Sequence, residues 1–336
     1  MKERLPNRIY FDLTNTCNLH CLHCSVDAGS EKTGLLQIGE LYDLLEQTRT
    51  MGVNKVVFSG GEPLLRTGAF DVFDRAIELD LEVTVLTNGT LIDESAASFF
   101  REKEITVKIS LDGAAAPTHD YLRGRGAFGH LMKVFERLMI VPPERKAVHY
   151  TLHRHNLGEL DDLPPLLEKI GIPNLVLGTV KPSGRASVNK DLLIPPVMIP
   201  YVRRKIELIE RDPRVHIRRF NSKGWEGFGC PAVCDKFGIG ADGRATTCVF
   251  LGEEYLGGSV RDTPLLQLWR NYLAGGNIFI PNPVCAECPA LEATGGGCRA
   301  RALYFNGDIN APDPYCCAVY HQCRSLEKIR SAEFLQ

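Results

Sequence analysis

"LTNTCNLHCLHCSVD" occupies residues 13–27, and its cysteines stand at 17, 21 and 24, with the next only at 230. A tetrahedral zinc site or a complete iron–sulfur cluster takes four ligands. Three close thiols without a fourth nearby leave one coordination position for something other than the local chain. The alternative is a distant fourth ligand and a zinc ion.

The loop follows "RIYFDLT" (8–14), the first of six runs of strand length. The others are "KVVFSG" (55–60), "LEVTVLTNG" (81–89), "TVKISLDG" (106–113), "AVHYTLHR" (147–154) and "NLVLGTV" (174–180). They are rich in β-branched residues, and most end in Gly, Asn, Asp or Thr. Amphipathic segments separate them. Ile38, Leu41, Leu45 and Thr48 mark one helical face, Phe70, Phe73 and Ile77 another, and Phe128, Met132, Phe135 and Leu138–Met139 a third. Strands alternating with helices predict a parallel α/β sheet with right-handed crossovers. Six units are too few for an eight-stranded barrel, so an open or partial barrel is expected. Ligands then gather at the C-terminal strand ends, where the cysteine loop lies.

Residues 181–200, with "KPSGR" and "IPPVMIP", read as a connection, and "YVRRKIELIERD" (201–212) as a helix. From about 216 the elements shorten and Gly, Cys and Pro rise. Of twelve cysteines, three lie in 17–24, none in 25–229 and nine in 230–323. Two separated groups of thiols mean two metal-binding regions, the second a small domain stapled by metal. "ADGRATTC" (241–248) reads as a hairpin turning at Asp242-Gly243.

The 336 residues are 44% hydrophobic and 24% charged, with 39 basic and 41 acidic side chains and a net charge of −2. This balance gives no reason to expect nucleic acid or an anionic membrane as partner. The start, "MKERLPNRIYFDLT", lacks the apolar core of a signal peptide, and no run approaches the ~18 apolar residues needed to cross a bilayer. The expected location is cytoplasmic. There, clustered cysteines hold metal or do redox work rather than form disulfides.

"CNLHCLHC" (17–24) resembles the signature of the radical S-adenosylmethionine (SAM) superfamily. Further resemblances fall at successive strand ends: "SGGEP" (59–63), "TNGT" (87–90), "SLDG" (110–113) and "HDYLRG" (119–124). The resemblance implies a partial (β/α)6 barrel over residues 1–215. It implies a [4Fe–4S] cluster held by Cys17, Cys21 and Cys24, whose open iron takes the amino and carboxylate groups of SAM. His23 would lie beside the adenine. Gly60 and Gly61 would let backbone approach the methionine part of SAM, Glu62 would accept from its ammonium group, and Asn88 belongs to the polar turn. Ser110 would reach the ribose and Arg123 the carboxylate. The superfamily cleaves SAM reductively, and the resulting 5′-deoxyadenosyl radical abstracts a substrate hydrogen.

The later cysteines resemble a SPASM domain, a small Cys-rich auxiliary-cluster module, here expected over 216–336. Three [4Fe–4S] clusters are implied in all. One auxiliary cluster would use Cys230, Cys234, Cys248 and Cys298. The other would use Cys285, Cys288 and Cys316, because Thr294 stands where the family has a cysteine. Its fourth ligand is open among Cys323, Cys317, Asp313, a substrate atom or none. A zinc knuckle is the alternative for this array. If Cys323 serves, Cys317 is a spare thiol that could donate hydrogen. His149 and His153, on one face of the fifth strand, are candidate acid–base groups.

The resemblance implies oxidative modification of a peptide, as in maturases of ribosomally made precursors. The alternatives are a sugar, aminoglycoside or tetrapyrrole substrate, by dehydrogenation or epimerisation, and a non-catalytic iron–sulfur electron carrier. Val249 stands where sulfatase-maturating members have Asp, which argues against that activity. Expected partners are the substrate, a flavodoxin- or ferredoxin-type electron donor and, because a strand begins by residue 8, a separate leader-peptide-binding protein.

Overall fold

A computed structural model describes residues 5–29, 34–217, 236–251, 255, 257–274, 283–289 and 291–320. Its frame is one nine-stranded sheet in the order β7-β6-β5-β4-β3-β2-β1-β8-β9. The strands are β1 (Arg8–Thr14), β2 (Lys55–Gly60), β3 (Glu82–Thr87), β4 (Thr106–Ser110), β5 (Lys146–Leu152), β6 (Asn174–Thr179), β7 (His216–Ile217), β8 (Lys236–Ile239) and β9 (Ala245–Thr246). All six expected strands are present, and β1 to β6 pair in chain order, each parallel to the next. The sheet is the curved wall of a partial barrel. It extends further than the six units suggested: β7 adds to β6, and β8 pairs parallel with β1.

Helices α1 (Ile38–Thr50), α2 (Ala69–Glu78), α3 (Glu94–Glu102), α4 (Ala116–Arg123), α5 (Ala127–Arg137), α6 (Leu163–Lys169) and α7 (Ile199–Glu210) follow the strands. All but α4 turn an apolar stripe to one continuous core, whereas α4 buries His119, Leu122 and Arg123, and its Leu122 belongs to a second, smaller cluster. Two expected stripes are rotated. In α2 the buried centre is Ala69, Val72, Phe73 and Ala76, with Phe70 and Ile77 at its margins. Small side chains let this helix lie close to the strands, and the bulky rings pack at the flanks. In α5 the buried residues are Leu131, Val134 and Phe135, and the helix stops before Leu138, so Met139 is exposed. On α1, Leu44 joins Leu41, Leu45 and Thr48, with Ile38 at the edge.

The expected hairpin forms between β8 and β9, where Gly243 takes φ +85° and Gly240 N–H donates to the Arg244 carbonyl. After it come α8 (Leu265–Ala274), α9 (Pro283–Ala286), α10 (Leu291–Thr294), α11 (Arg299–Asn306) and α12 (Pro314–Tyr320). A buried ion pair ties the last two together. Arg301 donates from Nε and Nη2 to the two oxygens of Asp313 at 2.9 and 2.6 Å, both side chains fully enclosed. Arg301 also reaches Thr179 Oγ1 at 3.2 Å, joining the cysteine-rich region to the end of β6.

Candidate functional site

A cavity of about 400 Å³ fills the barrel interior. Barrel interiors are ordinarily packed with branched apolar side chains. Here the inward positions alternate as a strand requires, and many are polar: Arg8, Tyr10 and Asp12 on β1, Lys108 and Ser110 on β4, His149 and Thr151 on β5, beside the apolar Leu86 on β3 and Leu177 on β6.

The cysteine loop closes one end. Cys17, Cys21 and Cys24 all line the cavity, and each sulfur accepts from a neighbour. Asn88 Nδ2 lies 3.9 Å from Cys17 Sγ, Arg123 Nη1 3.8 Å from Cys21 Sγ, and Ala28 N–H 3.3 Å from Cys24 Sγ. Burial pushes the Cys21 thiol up, and Arg123 opposes that shift. Among the described residues, no three His, Cys, Asp or Glu side chains converge as they would on a single ion.

The segment expected to be a mere connection clamps this loop. Arg185 Nε donates to the Cys21 carbonyl at 2.8 Å, and Nη1 to the Ala28 carbonyl and the Asp27 carboxylate, both at 2.7 Å. Arg185 N–H donates to the Cys24 carbonyl, and Asn189 Nδ2 to that of Leu22, both at 2.9 Å. Gly184 takes φ +54° with the Cys24 carbonyl where its Cβ would be, 2.4 Å away.

Gly60 and Gly61 form the next wall. A Cβ on Gly61 would stand 2.1 Å from the Thr16 carbonyl oxygen, and one on Gly60 2.4 Å from that of Thr14. Only glycine lets β2 run so close to the cysteine loop. Glu62 departs from expectation. Its carboxylate accepts from Thr87 Oγ1 at 2.7 Å, Asn88 N–H at 2.8 Å and Leu64 N–H at 3.2 Å. It is fully buried and does not line the cavity. It ties the ends of β2 and β3 together, and the glycine backbone is what this motif presents to the cavity. Asn88 and Ser110 do line it, and Asn88 Nδ2 also donates to Asn18 Oδ1 at 2.9 Å.

Asp112, which sequence reading passed over beside Ser110, organises the far side. Its Oδ2 receives Arg123 Nε at 2.5 Å and His23 Nε2 at 3.3 Å, and its Oδ1 receives Thr151 N–H at 2.8 Å. Burial pushes the Asp112 carboxyl up, but Arg123, His23, His119 and the Thr151 amide together outweigh it and hold the carboxyl well below its usual range. Burial brings His23 down to about 4, with Asp112 opposing. With Nε2–H directed to Asp112, the neutral ring offers Nδ1 as an acceptor, and that buried atom has no partner among the described residues. A buried polar atom in this state calls for a ligand donor. The unpaired His23 nitrogen, the glycine cradle and the three thiols with their N–H donors fit a cluster and an adenine-bearing cofactor.

Of the two candidate acid–base histidines, the structure brings only one to the cavity. His149 lines the cavity. His153 lies beyond the strand end, fully buried, with Nε2 3.3 Å from the Asp112 carbonyl and Nδ1 accepting from His155 N–H at 3.3 Å. It is a structural histidine.

Cys248 and Cys298 also line the cavity and share one packed cluster with Leu251 and Ala300. Cys285 and Cys316 are buried, and Cys288 is half-buried. Burial pushes the Cys316 thiol up to about 12, and a hydrogen bond from the Thr294 side chain opposes that shift. Thr294 thus stands beside a candidate ligand. Asp313 is unsuited to be a fourth ligand, because its oxygens are held by Arg301, Cys298 N–H at 2.6 Å and Tyr315 N–H at 3.1 Å. Cys317 is buried on α12 and does not line the cavity. Cys230, Cys234 and Cys323 lie outside the described residues.

Residues 11–163 match the model of the radical SAM superfamily. The mycofactocin maturase MftC of Mycobacterium ulcerans is 29% identical over 330 residues, covering 94% of this chain and 89% of its own. The AdoMet-dependent heme synthase of Methanosarcina barkeri is 25% identical over 345 residues, covering 93% and 96%. Streptococcus suis SuiB, solved bound to its precursor peptide SuiA, superposes with a TM-score of 0.74 at 18% identity over 93% of this chain and 76% of its own, a likeness of fold.

Proposed function

Since the chain is a 4Fe–4S-dependent radical SAM enzyme, related over nearly its full length to SPASM-domain maturases, we propose that it modifies a peptide oxidatively. The observation that carries this reading is the single cavity lined by two groups of cysteines, Cys17, Cys21 and Cys24 from the N-terminal loop and Cys248 and Cys298 from the cysteine-rich region. A substrate between them touches a site of hydrogen removal and a site of electron removal at once. A maturase among the relatives supports the peptide.

In this reading Cys17, Cys21 and Cys24 hold the cluster, and His23, the Gly60–Gly61 backbone, Asn88, Ser110 and Arg123 hold SAM. When bound, these cofactors supply a 5′-deoxyadenosyl radical able to take hydrogen from an unactivated C–H bond. The chain's own part is placement. Arg123, neutralised by Asp112, presents remaining N–H groups without a net positive charge facing a sulfonium. The glycine backbone fixes distance, and the clamped loop limits water entry. Cys248 and Cys298, with Cys230 and Cys234, and Cys285, Cys288 and Cys316, with Cys323, hold two auxiliary clusters. A reduced flavodoxin- or ferredoxin-type donor, a separate leader-binding protein and a cytoplasmic setting complete the proposal.

The second reading, a tetrapyrrole-like small molecule, is favoured by the heme synthase relative. Anaerobically reconstituted protein given SAM and dithionite should release 5′-deoxyadenosine, and a Cys17/Cys21/Cys24→Ala variant should not. An electron carrier would release none in either case. Short peptides encoded beside the gene should accelerate the release and lose two hydrogens in mass. Acceleration by porphyrin precursors alone would move the assignment to the second reading.

A further inference from the structure

A chain of hydrogen bonds leads from the cavity into the cysteine-rich region. Lys181, half-buried just past β6, lines the cavity together with Thr179, Cys248 and Cys298. Its Nζ donates to Thr179 Oγ1 at 2.9 Å, and the same oxygen accepts from Arg301 Nη1 at 3.2 Å. Arg301 is paired with Asp313, whose Oδ2 accepts from Cys298 N–H. Lys181 and Cys298 thus stand at the two ends of one connected series, through Thr179, Arg301 and Asp313. Within that series the guanidinium and the carboxylate offset each other, and the ammonium adds one positive charge. Burial and Arg301 work against this charge, whereas Cys298, Asp313 and Cys248 favour it. Both thiols therefore lie within its electrostatic reach.

Thr247 bears on what those thiols hold. It lines the cavity on the residue before Cys248, and its buried hydroxyl has no hydrogen-bond partner among the described residues. A buried hydroxyl calls for an acceptor. A sulfur-rich group bound at Cys248 and Cys298 supplies one, so these residues fit an iron–sulfur cluster. The potential of such a cluster is set by net charge, hydrogen bonds to its sulfurs and exposure. Reduction adds a negative charge. A positive charge held nearby stabilises the reduced form more than the oxidised form and raises the potential.

We infer that Lys181, seated on Thr179, is a positioning residue that raises the reduction potential of the auxiliary cluster bound by Cys248 and Cys298, making that cluster the readier electron acceptor. This deepens the function proposed above and rests on its auxiliary clusters. The role needs no contact between Lys181 and the substrate.

The test is an anaerobic redox titration, followed by electron paramagnetic resonance, of full-length Cys17/Cys21/Cys24→Ala protein reconstituted with iron and sulfide. Only auxiliary clusters then titrate, and adding Cys298→Ala marks the midpoint of interest by abolishing it. Lys181→Met should lower that midpoint. At a fixed potential the ratio of reduced to oxidised cluster should fall about tenfold, a shift of about 59 mV for one electron, as for a unit charge about 10 Å away at an effective dielectric constant near 20. Lys181→Arg keeps the charge and should hold the midpoint near its original value. The exposed Lys133→Met should leave it unchanged. Should Lys181→Met load less iron, Lys181→Gln gives the reading with a polar side chain in place. An unchanged or higher midpoint in the Met and Gln variants, or an equal drop in the Arg variant, overturns the inference. The two layers fail separately. If the Cys17/Cys21/Cys24→Ala protein holds no cluster, the auxiliary-cluster reading fails first. If it holds clusters whose midpoints ignore Lys181, only the role of Lys181 fails.

Discussion

Asp112 carries more of the site than its single position in "SLDG" suggests. One carboxylate neutralises Arg123, orients His23 and ties β4 to β5 through Thr151. Asp112→Asn keeps the shape but leaves an enclosed guanidinium without its counter-charge. Breaking a buried pair from one side costs about 3–5 kcal/mol. Urea unfolding at pH 7 should report that loss, and SAM should bind more weakly. An unchanged unfolding midpoint would remove Asp112 from this role. Gly61→Ala acts differently. The conflict with the Thr16 carbonyl at 2.1 Å is with backbone, so no rotamer relieves it. The variant should fold but lose most iron after reconstitution, read at about 400 nm, with Gly61→Ser no better. Ser110 was legible because it matches a known pattern. Asp112 was visible only in that a carboxylate rarely ends a buried strand unpaired, and its partners at 23, 123 and 151 are distant in sequence. Glu62 matched the same pattern, yet its position fixed it to Thr87 and Asn88 instead of the cavity.

At the level of elements, the clamp over residues 183–189 decides whether the cysteine loop holds its shape. Gly184→Ala would set a Cβ against the Cys24 carbonyl in a left-handed conformation that costs an L-residue about 1–2 kcal/mol before any clash. Reconstituted iron per chain should fall, with the far-ultraviolet circular dichroism unchanged, while the exposed Gly158→Ala, with nothing within 4 Å of its Cβ, should load iron normally. Equal iron in both variants would mean that the clamp does not support the loop. The strands were readable because β-branched runs ended at turn residues. The α2 and α5 stripes were read from their largest side chains, but packing against a sheet puts the small ones at the centre. The clamp was not legible at all. "KPSGR" has turn composition, and its hydrogen bonds run to carbonyls more than 150 residues away. Nor does local pattern reveal that β8 pairs parallel with β1, which is a matter of topology.

Across the whole molecule, the barrel and the cysteine-rich region are joined by a continuous sheet and by the Arg301 bridge between Asp313 and Thr179. His119 and His153 are buried, and His149 lines the cavity. Burial holds His119, His149 and His153 each at about 4, against an ordinary value of 6.5. A base whose folded pKa is depressed binds fewer protons folded than unfolded. Stability is therefore full above pH 6.5 and falls as pH drops toward 4, by about 1.4 kcal/mol per pH unit for each histidine that titrates only when unfolded. Asp112 works the same way lower down: its carboxyl is held below the usual range, so its contribution persists to about pH 4 and is lost beneath it. Unfolding midpoints in urea at pH 7.5, 6.5, 5.5 and 5 should stay level between the first two and then decline steeply. His153→Gln should shallow the decline by one proton, because its ring titrates only on unfolding. A midpoint level down to pH 5, or a slope unaltered in that variant, would mean that these imidazoles take up protons without unfolding the barrel.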